Sequence, residues 1–64
     1  MRCLVVKEIE NTLLVRKVDA CGMPLEYYII HKYKNEYYLI GKSVTPKNAE
    51  NIMTNFIKTI KNYG

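Results

Sequence analysis

Residues that build metal and thiol sites are scarce in this chain. Its 64 residues include two cysteines and one histidine, and Cys3 and Cys21 lie too far apart to form a Cys-x-x-Cys pair. A structural zinc site needs four such ligands at close spacing, so a single chain does not provide one. We therefore predict that the protein binds no metal and no cofactor.

Motifs of catalysis are missing from the sequence as well. The three glycines form neither a phosphate-binding loop nor a nucleophile elbow. A catalytic histidine needs a nucleophile or an orienting partner, and no sequence pattern joins His31 to a thiol. The sequence predicts a protein that is not an enzyme, in which His31 has a structural role.

Long apolar runs are absent too. No uncharged run is long enough to span a bilayer, and the run Leu4-Val5-Val6 is too short for a signal peptide. These features predict a cytoplasmic protein with reduced thiols and no membrane partner. A domain this small buries only about 60% of the surface that its unfolded chain exposes, so such domains often gain stability by oligomerisation.

The net charge of +4 is placed unevenly along the chain. Basic and acidic residues balance over residues 1–30, whereas residues 31–64 hold six lysines and two glutamates. A basic half allows contact with nucleic acid or with an acidic protein surface, and a charge of this size requires neither.

What the sequence does contain is four short runs rich in β-branched residues and tyrosine. They predict strands over residues 2–9, 12–18, 25–33 and 37–43. Glu10-Asn11 and Lys34-Asn35, the latter with or without Glu36, predict tight turns because asparagine tolerates a positive φ. With a two-residue first turn, one face of the first hairpin is expected to hold Leu4, Val6, Leu13 and Val15.

A C-terminal helix is predicted over residues 45–63. Thr45 suits the N-cap and Pro46 the first helical position. Apolar residues then recur at spacings of three and four and define one stripe, which consists of Ala49, Ile52, Met53, Phe56, Ile57, Ile60 and Tyr63. We predict an α+β fold in one domain over residues 1–64, in which a four-stranded antiparallel sheet of two hairpins carries the helix on one face (β-β-β-β-α).

The order of these elements resembles the unit of the Whirly-type single-stranded DNA-binding proteins, which are oligomeric. The resemblance lies in the element order and not in a sequence motif. It implies that a unit of this architecture can assemble with copies of itself and bind single-stranded nucleic acid.

The strands carry more apolar surface than one helix covers. A strand with one solvated face alternates apolar and polar residues, whereas both faces of residues 25–33 hold large apolar side chains. One helix covers only one face of a sheet. The other face is therefore predicted to contact another chain, a ligand or a nucleic acid.

Tyrosines and lysines between residues 27 and 42 form the candidate contact. Tyrosine rings anchor protein interfaces, and they also stack on unpaired bases while lysines bind the phosphates; on strands they often simply pack. The predicted partner-binding residues are Tyr27, Tyr28, Ile30, Lys32, Tyr33, Lys34, Tyr37, Tyr38, Ile40 and Lys42. The contact face is expected to hold Tyr28, Ile30, Tyr38 and Ile40, or their opposite-facing neighbours.

Two functions are compatible with this pattern. The first is a non-enzymatic interaction module, a small homo-oligomeric regulator or inhibitor that acts through protein contacts, with itself as partner in a dimer or higher oligomer and with another protein as a further possibility. The alternative is a small single-stranded nucleic-acid-binding protein that uses the tyrosines and lysines of residues 27–42. The two differ in their dependence on salt, because phosphate contacts weaken steeply with ionic strength.

Overall fold

The computed structural model describes residues 1–63 and folds them into four strands and one helix. The elements are β1 (Arg2–Ile9), β2 (Thr12–Val18), β3 (Pro24–Tyr33), β4 (Glu36–Ser43) and α1 (Pro46–Tyr63). The strands form one antiparallel sheet in the order β1-β2-β3-β4, and α1 packs on one of its faces. The predicted α+β fold and its element order are confirmed.

Both hairpins close with two-residue turns whose backbone is left-handed. The φ angles are 51° and 64° at Glu10 and Asn11, and 50° and 66° at Lys34 and Asn35. Positive φ at both central residues is the type I′ geometry, whose twist matches that of the flanking strands. Lys34-Asn35 alone therefore makes the second turn, and Glu36 already belongs to β4.

Side-chain hydroxyl groups accept hydrogen bonds from backbone N–H groups at the beginning of α1. Thr45 Oγ1 accepts a hydrogen bond from the backbone N–H of Asn48 at 3.4 Å, which is the expected N-cap contact. Ser43 Oγ accepts from the backbone N–H of Thr45 at 3.2 Å. One turn further on, Glu50 forms an ion pair with Lys7 at 2.6 Å, which joins the helix to β1.

The hydrophobic core lies between α1 and the sheet. Its buried members are Leu14, Tyr27, Ile29, Ala49, Met53 and Ile57. Phe56 is only half-buried and meets the His31 ring edge-on, with 5.1 Å between centroids. Tyr63 is 90% exposed, so its assignment to the buried stripe is wrong. Tyr63 is the last residue of α1, almost one turn beyond Ile60, which is the last partly buried residue of the stripe.

Bulges shift the strand register at three places. In β1, Val5 pairs with Val15 and Lys7 pairs with Leu14, so Val6 is the extra residue. One inserted residue moves everything beyond it to the opposite face of the sheet. The expectation that Leu4 and Val6 share a face with Leu13 and Val15 is therefore wrong, since Val5 takes that place.

In β4 the extra residue is Ile40. Ile29 pairs with Gly41 while Ile30 pairs with Leu39, which leaves Ile40 without an opposite residue. Gly41 lies directly under the helix, because a Cβ atom built there would lie 3.1 Å from Cγ2 of Ile52. A glycine at this position lets α1 approach the sheet closely.

Candidate functional site

The face of the sheet that points away from α1 is not covered by any described element. Leu14 and Ile29 are cross-strand partners in the core under α1, so their neighbours along each strand point to the other side. We call that side the open face. Following the register from β1 to β4, it holds Cys3, Val5, Glu8, Leu13, Val15, Lys17, Glu26, Tyr28, Ile30, Lys32, Tyr37, Leu39 and Lys42.

The centre of the open face is apolar. Two rows cross the sheet there, one formed by Val5, Val15 and Tyr28 and the other by Leu13, Ile30 and Leu39. Val15 is only 6% exposed although no helix covers it, because its neighbours along and across the strands surround it. Exposure is concentrated on the outer strands, where Val5, Leu39 and Tyr37 are 60%, 61% and 64% exposed. The uncovered apolar surface therefore extends from one edge strand to the other.

Charges of both signs surround this apolar centre. Lys17 and Glu26 are cross-strand neighbours at one end. Glu8 lies on β1, whereas Lys32 and Lys42 lie on β3 and β4. With three lysines and two glutamates, the open face carries much less of the positive charge than the composition of residues 31–64 suggests.

Tyr28 is held in place by a hydrogen bond along its own strand. Its hydroxyl donates to Oε2 of Glu26 at 2.7 Å. This bond, with smaller contributions from desolvation and from the charge of Glu26, raises the pKa of Tyr28 above its ordinary value. The phenol therefore remains a neutral donor at physiological pH, and the end of the ring is fixed beside the carboxylate.

The structure brings together half of the predicted partner-binding residues. The open face holds Tyr28, Ile30, Lys32, Tyr37 and Lys42. These residues belong to three cross-strand pairs between β3 and β4, and the partner of Ile30 is Leu39, which is not among the predicted residues. Tyr28 pairs with Lys42, and Lys32 pairs with Tyr37, so an aromatic ring and an ammonium group lie side by side at both ends of this strip. Each adjacent tyrosine pair, Tyr27-Tyr28 and Tyr37-Tyr38, has one ring on the open face and the other on the helix side.

The other predicted residues lie elsewhere. Tyr27 is buried in the core at 4% exposure, and Ile40 packs against that core. Tyr38 pairs with His31 on the helix side and donates a hydrogen bond to Glu36 at 2.7 Å, which raises the pKa of Tyr38. The expected grouping of Tyr28 and Ile30 with Tyr38 and Ile40 is wrong, because the two-residue turn pairs Ile30 with Leu39 and so places Tyr38 and Ile40 on the helix side.

Tyr33 and Lys34 form a separate contact at the tip of the second hairpin. Tyr33 is the last residue of β3, and its ring is 53% exposed. Lys34 belongs to the turn, where its Nζ lies 5.3 Å from the centroid of the Tyr33 ring. Neither residue is on the open face.

Four apolar residues of the open face are missing from the predicted contact set. They are Val5, Leu13, Val15 and Leu39. Strand alternation alone placed Leu13 and Val15 on one face, so their inclusion was available from the sequence. Val5 was assigned to the wrong face because it lies beyond the bulge at Val6. Leu39 was missed because a second turn that includes Glu36 pairs Ile30 with Ile40, whereas the observed two-residue turn pairs Ile30 with Leu39.

His31 makes a structural contact, and the cysteines are not paired with each other. His31 Nδ1 lies 3.0 Å from Oγ1 of the fully buried Thr12, so the two side chains share a hydrogen bond. Cys3 and Cys21 are both exposed and are not joined by a disulfide. Within residues 1–63, no three histidine, cysteine, aspartate or glutamate side chains come together as metal ligands.

The two edge strands of the sheet are both interrupted by a bulge. The extra residues are Val6 in β1 and Ile40 in β4. Bulges on edge strands twist the free backbone groups out of line and hinder pairing with a further strand. The open face, rather than an edge, is therefore the surface that is available for an extended contact.

The described chain is flat and more exposed than a compact monomer of its mass. Its extents are 41 × 25 × 15 Å, and its accessible surface is 4710 Å². The general relation for monomers gives about 4,200 Å² for 7.5 kDa. The shape is that of one sheet with one layer of helix, which corresponds to one half of a structure in which two sheets stack face to face.

Comparison with protein-family models, with curated proteins and with solved structures finds no match for this chain. The resemblance in element order to the Whirly-type proteins therefore stands without a matching solved structure. In the part of the chain that the structure describes, α1 does not combine the length and the apolar character that crossing a membrane requires.

Proposed function

We propose that this protein is a non-enzymatic interaction module that self-associates through its open face and acts as a small regulator or inhibitor by protein contacts. The observation that supports the proposal is the uncovered apolar strip of the open face, from Val5 on β1 to Leu39 on β4. Such a strip is unusual on a monomer and is typical of surfaces that bind other proteins.

A second copy of the chain is the occupant that fits this strip. Sheets stack face to face about 10 Å apart with their inner side chains interdigitated. Two open faces would supply two matching apolar layers, and the resulting α/β/β/α arrangement would cover both sides of each sheet. The bulges at Val6 and Ile40 disfavour the competing route, in which sheets join edge to edge.

The charges around the strip also favour a protein over a nucleic acid. Glu8 and Glu26 are interspersed with Lys17, Lys32 and Lys42, whereas a phosphate-binding surface is strongly and uniformly positive. Carboxylates beside the lysines repel phosphates and attract the lysines of a facing protein surface. The face is therefore suited to a partner that carries both signs of charge, as a second copy does.

Self-association is the first expected result. Sedimentation equilibrium at micromolar concentration should give a dimer or a higher oligomer, since burial of two apolar faces lowers the free energy of the assembly. Addition of salt should change the association constant little, because most of the contact is apolar. A monomer that remains folded at 100 µM or more, in any buffer, would contradict the proposal.

Binding of single-stranded nucleic acid is a second candidate, and one observation favours it. The Tyr28–Lys42 and Lys32–Tyr37 pairs place a ring beside an ammonium group at both ends of the open-face strip. Rings that stack on bases beside lysines that bind phosphates are the usual design of such sites. The same residues would then serve a different partner.

A salt titration separates the two candidates. On the proposed function, fluorescence anisotropy with a labelled oligo-dT of about 15 nucleotides should show no salt-sensitive binding at micromolar protein in near-physiological buffer. If the protein instead binds single-stranded nucleic acid, binding is detected under these conditions and weakens as salt is added. Joint replacement of Lys32 and Lys42 by glutamine should then flatten the salt slope. Joint replacement of Lys47 and Lys58, which lie on α1 and away from the open face, is the matched control.

A further inference from the structure

We infer that two copies of the chain stack open face to open face about a two-fold axis parallel to the strands, so that β1 of each copy lies over β4 of the other. The inference rests on the proposed self-association and adds the orientation of the partner. It is carried by the positions of charged and apolar residues on the open face.

Symmetry leaves two ways to stack these sheets with their strands aligned. A homodimer interface has a two-fold axis, and aligned sheets keep their strand directions within about 30°. An axis parallel to the strands puts β1 over β4 and β2 over β3. An axis that crosses the strands in the plane of the interface puts every strand over its own copy.

The apolar centre fits the parallel axis. The cross-strand register places Leu13 level with Ile30, and Val15 level with Tyr28. When β2 lies over β3 of the second copy, Leu13 therefore faces Ile30 and Val15 faces Tyr28. Apolar residues then face each other at both positions, and at the second a small side chain meets a large one, which helps two layers to interdigitate.

The charges where β2 ends and β3 begins favour the same axis. Lys17 and Glu26 are level with each other, so the exchange of β2 and β3 between copies places each lysine over a glutamate. The crossing axis moves Lys17 toward the other end of the sheet, beyond Thr12, the first residue of β2, where it faces no carboxylate of the open face. Only the parallel axis therefore compensates both of these charges.

Glu8 and Lys42 distinguish the two axes most sharply, because they lie on opposite edge strands. Glu8 is level with Leu39, and Lys42 is in the neighbouring row of the open face, level with Val5 and two residues away along β2 and β3. The parallel axis brings Glu8 within about 7 Å, along the strand direction, of Lys42 of the second copy. The crossing axis brings it equally near to Glu8 of the second copy and sets the two Lys42 side chains together. Opposite charges meet in the first arrangement and like charges in the second.

A charge exchange between Glu8 and Lys42 tests the orientation. Glu8→Lys and Lys42→Glu should each raise the dissociation constant of the homodimer roughly tenfold or more, because each substitution places like charges at two symmetric positions. An equimolar mixture of the two single variants should form a 1:1 heterodimer of near-parental affinity, and the double variant should self-associate again. Lys58→Glu, with the same charge change on the exposed side of α1, should leave association unchanged.

The measurement is analytical ultracentrifugation of each variant and of the mixture, with circular dichroism to show that each one is folded. If the parent chain is a monomer, the proposed function and this inference both fail. If the parent is a dimer that tolerates both single substitutions, or if the mixture does not recover affinity, self-association stands and the inferred orientation is overturned.

Discussion

Replacement of Leu14 by alanine is expected to unfold a substantial fraction of the protein at 25 °C. Leu14 is 1% exposed and lies in the core between β2 and α1. Removal of a fully buried leucine side chain costs about 3–5 kcal/mol, from the lost transfer free energy and the cavity that remains. A domain of 64 residues has a free energy of unfolding of only about 3–10 kcal/mol.

Leu13→Ala is the matched control for this prediction. Leu13 is the adjacent residue on β2, but it is half-buried and points to the open face. At low protein concentration, where little dimer forms, it should lower the urea midpoint much less than Leu14→Ala does. Equal losses for the two leucines, measured by circular dichroism, would show that the core does not lie between β2 and α1.

Leu39→Glu is expected to convert the self-associated protein into a folded monomer. Leu39 is 61% exposed on β4, so a carboxylate is tolerated in the monomer. In the stacked dimer it would be desolvated at two symmetric positions without a partner, and each uncompensated charge costs several kcal/mol. We expect the dissociation constant to rise roughly a hundredfold or more.

Leu4→Glu provides the comparison at a leucine that is also exposed but points to the helix side. Leu4 is 42% exposed, and its register partner is Arg16. The substitution adds the same charge to the other edge strand and should leave the dimer intact. Sedimentation equilibrium of both variants decides the matter: a Leu39→Glu protein that still dimerises like the parent would remove the open face as the contact surface.

Local chemistry was sufficient to predict the elements of this fold. Asn11 and Asn35 tolerate the left-handed backbone of the two turns, and Thr45 caps the helix through its own hydroxyl group. These are interactions between residues close in sequence, so a short window contains all of their causes. The same holds for the helix stripe around Met53, whose spacing of three and four residues is a property of the helix itself.

The two-sided character of the sheet was also readable from the sequence. Adjacent strand residues point to opposite faces, so the pair Tyr27-Tyr28 had to place one ring on each side. The structure buries Tyr27 under α1 and leaves Tyr28 on the open face. Which member of the pair goes where depends on the position of the helix, and that is a tertiary choice.

The sequence by itself thus determined the turns, the capped helix and a sheet that is apolar on both sides, whereas the tertiary structure decided which residues share a face. The bulge at Val6 turns the outer part of β1 over, so Val5 joins the open face. The bulge at Ile40 does the same for the end of β4, so Gly41 lies under the helix and Lys42 joins the open face. A bulge arises where pairing with the neighbouring strand and packing under the helix favour one extra residue. Those energies belong to contacts between distant parts of the chain, and no short stretch of sequence contains them.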